Sequence, residues 1–238
     1  MPSIELTQDL HVHSTFSDGQ GTLEENIAAA HAAGLTKLGC VDHVRRDTTY
    51  VPDYVAAVRA LRASSPVDLS IGVEAKILDR AGALDVPANL SGIDMIYVAD
   101  HQFPWTDGPQ HPRTIKAWLA DGTITPLECV TALIDATVAT MERNTEYPLL
   151  IAHLFSILPK IGLHEDSIPD ELTEALARTA ANTGATLEVS ERWRCPSLRV
   201  VQQFRQLGVP IVASTDAHKP DAIGQYSYVT ETVSQLVV

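Results

Sequence analysis

Short apolar runs alternate with amphipathic stretches along almost the whole chain. "IELTQDLHVH" (4–13) reads as a strand, and "GTLEENIAAAHAAG" (21–34) as a helix. Thr22 and Glu25 have capping-box spacing, and Gly34 sits where a helix closes. "KLGCVDH" (37–43) is the next strand, and Pro52 opens the helix "PDYVAAVRALRAS". "DLSIGVEAKIL" (68–78) and "GIDMIYVADH" (92–101) read as strands, "TPLECVTALIDATVATMERN" (125–144) as the longest amphipathic helix, and "YPLLIAH" (147–153) as a strand. The helix "PDELTEALARTAANTG" has acids at its start and Gly184 at its end. "ATLEVS" (strand), "PSLRVVQQFRQLG" (helix) and "VPIVASTDAH" (strand) follow. Roughly seven strands, most followed by a helix, predict a parallel α/β sheet covered on both faces. Periodicity does not separate an open sheet from a closed barrel. Residues 102–125, rich in Pro and Gly, read as a long insertion loop and a candidate lid.

The first strand breaks its own pattern. Alternate residues of a strand share a face, and His11 and His13 occupy a face where the apolar flanks predict core. The same oddity recurs at the ends of the other strands. "VDH" ends in His43, "GVEAK" carries Glu74, "VADH" ends in His101, "IAH" in His153, and "STDAH" carries Asp216 and His218. Of 9 histidines, these six close predicted strands, and Asp18 follows the first pair. Parallel α/β folds gather ligands at the carboxyl ends of their strands, so these residues should meet at one rim. Imidazole with carboxylate suits Zn, Fe or Mn. A catalytic zinc takes about three protein ligands, so His11, His13, Asp18, His43, Glu74, His101, His153, Asp216 and His218 suggest two to three divalent ions sharing a carboxylate.

Bulk properties narrow the partners. The 238 residues carry a formal charge of −13, which argues against nucleic-acid polymers and anionic membranes. No apolar run approaches a bilayer span. The start "MPSIELTQDL" is not a secretory signal, and the 3 cysteines form no C-x-x-C pair, which fits a reducing cytoplasm. Cys195 lacks the arginine six residues on that cysteine phosphatases use, because Val201 stands there.

In their order, "DLHVHSTFSDG", "VDH", "GVEAK", "VADH", "IAH" and "STDAH" resemble the metal motifs of the PHP (polymerase and histidinol phosphatase) family. The resemblance runs from residue 9 to about residue 218. It implies a distorted (β/α)7 TIM-like barrel, with residues 1–238 as a single domain. It also implies a trinuclear hydrolase of phosphate esters. His11, His13, Glu74 and Asp216 would hold one metal. Glu74 would bridge to a second, held also by His101 and His153. Asp18, His43 and His218 would hold the third. Glu74, Asp216 and His218 would carry the catalysis, with a metal-activated hydroxide attacking phosphorus. Family members place an arginine near "SERWRCPS", where Arg194 is chosen over Arg192 as the phosphate contact and Arg113 as a second substrate contact. Asp42 and Asp100 would orient neighbouring ligands. His31, His111 and His164 read as ordinary helix or surface residues. The expected substrate is a small phosphorylated metabolite, with histidinol phosphate, nucleotides and sugar phosphates among the family's range. Two other functions use the same site: amidohydrolase-type cleavage of C–N or C–O bonds, and a non-catalytic PHP module.

Overall fold

Nine strands and seven α-helices make up residues 4–236, the part of the chain described by the structure, a computed structural model. In chain order they are β1 (Gln8–Val12), α1 (Leu23–Ala32), β2 (Lys37–His43), α2 (Val51–Arg62), β3 (Asp68–Lys76), β4 (Met95–Ala99), β5 (Phe103–Trp105), β6 (Gly108–Gln110), α3 (Pro112–Asp121), α4 (Pro126–Arg143), β7 (Leu149–Ile151), α5 (Asp170–Thr183), β8 (Thr186–Ser190), α6 (Leu198–Gln206), β9 (Ile211–Ser214) and α7 (Tyr228–Leu236). The Thr22–Glu25 capping box and the left-handed Gly184 after α5 are both present.

Seven strands form one sheet in the order β1-β2-β3-β4-β7-β8-β9, with every neighbouring pair parallel. The sheet curls until its edges meet. Val12 bridges Ala217, the His13 N–H donates to the Ala217 carbonyl at 2.9 Å, and the Ala217 N–H donates to the His11 carbonyl at 3.2 Å. The seam is thus stitched through the backbones of His11 and His13, two candidate ligands, and of Ala217, which lies between two more. Close approach of β2 to β1 requires Gly39, where a Cβ would fall 2.1 Å from the Leu10 carbonyl oxygen.

Strand alternation sorts the core into layers. Leu38, Ile71, Val73, Ile96, Ile151 and Leu187 belong to the large cluster shared with the helices. Val41, Tyr97, Ala99, Leu150 and Ala152 form a smaller one. Tyr97 lies directly against His11, with ring centroids 5.0 Å apart.

One sequence expectation is corrected. Residues 102–125 do not form an open loop. They fold into the β5–β6 hairpin and α3, anchored by fully buried Phe103 and Ile115 and by a Trp105–Trp118 contact at 5.8 Å. The prolines misled because each occupies a tolerated site. Pro104 and Pro109 face each other in an isolated two-stranded ribbon, and Pro112 begins a helix. Gly122 is that helix's left-handed stop. After the last strand-end motif the chain closes with α7, whose Val229 and Thr232 are buried.

Candidate metal centre

The predicted ligands converge at the carboxyl ends of the strands. Parallel register sets His43 beside Glu74 on neighbouring strands. β1 delivers His11, and His13 follows immediately after it. His101 and His153 lie just beyond β4 and β7. Asp216 and His218 lie in the turn after β9, and Asp216 has φ 53°. Asp18 enters on the turn after β1, with Gly19 packed against the His13 backbone.

Glu74 is the hub. It is fully buried, and its two oxygens face different partners. Oε1 lies 3.0 Å from His101 Nε2 and 2.9 Å from His153 Nε2. Oε2 lies 3.0 Å from His43 Nδ1 and 3.4 Å from both His11 and His13 Nε2. Asp216 Oδ1 lies 3.0 Å from His13 Nε2. Asp18 is 55% exposed and lies 3.5 Å from His43 and 3.3 Å from His218. Three groups emerge with donor atoms close enough to share an ion: His11, His13 and Asp216; His43, Glu74 and His101; and His13, Asp18, His43 and His218.

This donor set fits divalent cations. His13 Nδ1, Glu74 Oε2 and Asp216 Oδ1 are buried yet make no hydrogen bond, despite neighbours at ion-pair distance. Buried polar atoms are nearly always satisfied. Three orphans aimed into one cluster of imidazoles and carboxylates are donors that divalent ions would satisfy.

The charges are strongly coupled. Burial pushes Glu74 up, but the rings of His11 and His101 outweigh it and hold the carboxyl well below its usual range. Burial opposes the charged form of His11, yet Glu188 and Glu74 raise that ring well above the usual 6.5. His13 goes the other way, to about 4, through burial and the adjacent His11.

Outer residues fix the ligands. His11 donates Nδ1–H to Glu188 Oε1 at 3.0 Å, leaving Nε2 toward the cluster. His153 Nδ1–H reaches Ser156 Oγ at 2.9 Å, and Ser156 donates to Asp100 Oδ1 at 2.8 Å. Asp42 accepts Ser14 N–H and Oγ–H at 3.0 and 2.6 Å, and Ser17 Oγ–H, so it pins the turn that carries Asp18. Asp9 accepts from Thr215 and Gly224 and ties the β9 turn to β1. Burial pushes Asp9 and Asp42 up to about 6. Asp42 and Asp100 were anticipated as orienting groups. Glu188 and Asp9 were not, although each is a carboxylate at an apolar strand position, the same signal that marked His11.

The arginines differ in what they touch. Arg194, in left-handed backbone with φ 52°, stands over the Tyr228 ring at 5.1 Å. Arg192 reaches the cluster: it donates to the Asp216 carbonyl at 3.2 Å and contacts His218 Nδ1. The turn after β8 decides between them, and its backbone is not legible from residue types. Trp193, also missed, donates Nε1–H to Asp216 Oδ2 at 2.6 Å, with Lys160 4.5 Å from its ring centroid. Arg113 is exposed at the start of α3 and makes no side-chain hydrogen bond or ion pair among the described residues. His31, His111 and His164 are exposed and outside the cluster; His111 caps α3. Cys195 is buried, and burial pushes its thiol well above its usual value, which disqualifies it as a nucleophile.

A family model described as PHP domain matches residues 9–191, ending before β9 and so before Asp216 and His218. No curated protein matches the sequence. Among solved structures, the fold is similar to histidinol phosphate phosphatase from Lactococcus lactis subsp. lactis, in complex with Zn, L-histidinol and phosphate. The identity is 17% and the TM-score 0.69, over 97% of this chain and 91% of that one. D-hydantoinase matches with 16% identity and TM-score 0.43, over 87% of this chain and 45% of that one. N-isopropylammelide isopropylaminohydrolase from Burkholderia multivorans matches with 14% identity and TM-score 0.43, over 84% and 53%. No described helix is long and apolar enough to cross a membrane.

Proposed function

This chain belongs to the PHP domain family, and from that premise we propose that it is a metal-dependent phosphoesterase acting on a small phosphorylated metabolite. Residues 1–238 work as one domain, with two to three divalent ions (Zn, Mn or Fe) at the mouth of the barrel. The observation that carries this reading is the convergence of eight dispersed side chains in three metal-capable groups, with His153 joined to them through Glu74, and three of their buried donor atoms making no hydrogen bond.

Bound divalent ions polarise phosphoryl oxygens and lower the pKa of water to about 7. The protein supplies the rest. Glu74 presents one oxygen to the His101–His153 side and the other to the His11–His13–His43 side, so it would hold ions from both sides. Asp216 is held by Trp193, so Oδ2 is occupied and Oδ1 faces His13. His218 and Asp18 form the outer, more exposed edge, where substrate enters. Arg192, beside Asp216 and His218, takes the phosphate-binding role, its planar fork matching two phosphoryl oxygens. A phosphomonoester dianion approaching a chain of charge −13 needs this local positive field.

The test is turnover of p-nitrophenyl phosphate by chelator-stripped protein before and after loading with Mn, Zn or Fe. Activity should appear only on loading, and His11→Ala and His218→Ala should each lose at least a hundredfold. Full activity in both variants, or hydrolysis of amides and lactones but no phosphate ester, overturns the proposal.

A further inference from the structure

A cleft of about 650 Å3 opens beside the His43–Glu74–His101 group, large enough for a small metabolite. Asp18, His43, Glu74 and His101 line its inner wall, and all four belong to the cluster already described. The other charged residues on its wall are Lys76 and Arg45. Both are cations, on a chain with 30 acidic and 17 basic side chains.

Their placement is structural. Lys76 lies two residues after Glu74 on β3, so strand alternation puts it on the same face, one step further out. Its Nζ donates to Gln102 Oε1 at 3.0 Å, and Gln102 follows His101 directly. Asp85, 3.5 Å away, is its only carboxylate neighbour among the described residues. Arg45 follows the ligand His43 by two residues and is exposed. Its guanidinium makes no ion pair or hydrogen bond among the described residues. A cation left unpaired at the rim of an acidic molecule is available to a ligand.

Resting on the phosphoesterase reading, we propose that Lys76 and Arg45 select the leaving alcohol: the substrate is a phosphate ester that carries a second anionic group, a carboxylate or another phosphate. The reacting phosphoryl group sits at the metal cluster, and the second anion extends outward between Arg45 and Lys76. An ester of a cationic amino alcohol meets like charge in the same cleft and is disfavoured.

The experiment compares kcat/KM of the metal-loaded protein on matched esters: 3-phosphoglycerate and 1,3-propanediol bisphosphate (second anion), glycerol 3-phosphate (neutral), and phosphoethanolamine and histidinol phosphate (cationic). p-Nitrophenyl phosphate serves as the common reference. At least one of the two esters with a second anion should exceed glycerol 3-phosphate by tenfold or more, and the pair distinguishes carboxylate from phosphate. The cationic esters should fall below the neutral one. Arg45→Glu should shrink the preference at least tenfold and narrow the gap to phosphoethanolamine. Lys76→Gln should shrink it, and Lys76→Arg should restore it. High salt should reduce the preference in the wild type. Turnover of p-nitrophenyl phosphate with no preference for a second anion, or a preference unmoved by Arg45→Glu, overturns this inference and leaves the phosphoesterase reading standing. No turnover of any phosphate ester overturns both.

Discussion

Glu188 Oε1 accepts the Nδ1–H of His11 at 3.0 Å, with both side chains fully buried. This contact decides which nitrogen of His11 is free for a metal. Glu188 also accepts from Ser214 and from the backbone N–H of His153, so one carboxylate fixes parts of three strand ends. Glu188→Gln keeps the shape but replaces one acceptor oxygen with an amide donor. We expect metal affinity to fall about 10–100-fold, measured by competition with a chromophoric chelator, with native circular dichroism. Unchanged affinity would remove the orienting role.

Trp193 holds Asp216 from the other side. Its indole N–H occupies Oδ2 at 2.6 Å and leaves Oδ1 toward His13. Trp193→Phe preserves the bulk and removes the donor. The expected result is metal affinity weakened by about tenfold and a kcat that falls more than KM rises. A variant with wild-type affinity and kcat would show that the hydrogen bond positions nothing.

The histidines predict an unusual pH response. Burial lowers the His153 pKa, but Asp100 and Glu74 outweigh it and raise the ring to about 10, from 6.5. Between those values the folded chain binds a proton that the unfolded chain has released. Its contribution to stability is therefore complete below 6.5 and lost as pH rises through about 10. The Tm of chelator-stripped protein should fall over that window more than the Tm of His153→Gln. A metal on Nε2 displaces the proton, so loading in weak buffer should release acid, and metal affinity should rise with pH. Equal Tm profiles for the two stripped proteins, or loading without acid release, contradict the assignment.

Cys195 should be dispensable for turnover. It is buried, and its thiol stays protonated. Cys195→Ala should retain activity within about twofold and cost about 1 kcal/mol of stability, read by urea denaturation. Loss of turnover in a folded variant would return a nucleophilic cysteine to consideration.

Much of this site was readable from the chain because strand ends are punctuated by residues that do not belong in a core. His11, His13, His43, His101 and His153 each follow an apolar run, and parallel topology brings such positions to one rim. Glu188 carries the same mark but was hidden inside "TLEVS", a strand interior rather than a strand end. That Arg192 contacts Asp216 and His218 while Arg194 lies over Tyr228 was not readable, because residue types do not show the left-handed backbone at Arg194. Residues 102–125 were misread for a different reason. Pro and Gly occupy the start and stop of α3 and paired positions of a short hairpin as readily as they mark a loop.

The position of bound metal tests the phosphoesterase reading most directly. Crystals of Mn- or Zn-loaded protein, measured at the metal's absorption edge, should give two to three anomalous peaks at the barrel mouth, within coordination distance of Glu74, Asp216 and the strand-end histidines. Loaded crystals with no peak there, or with metal only at sites remote from Glu74, would contradict it.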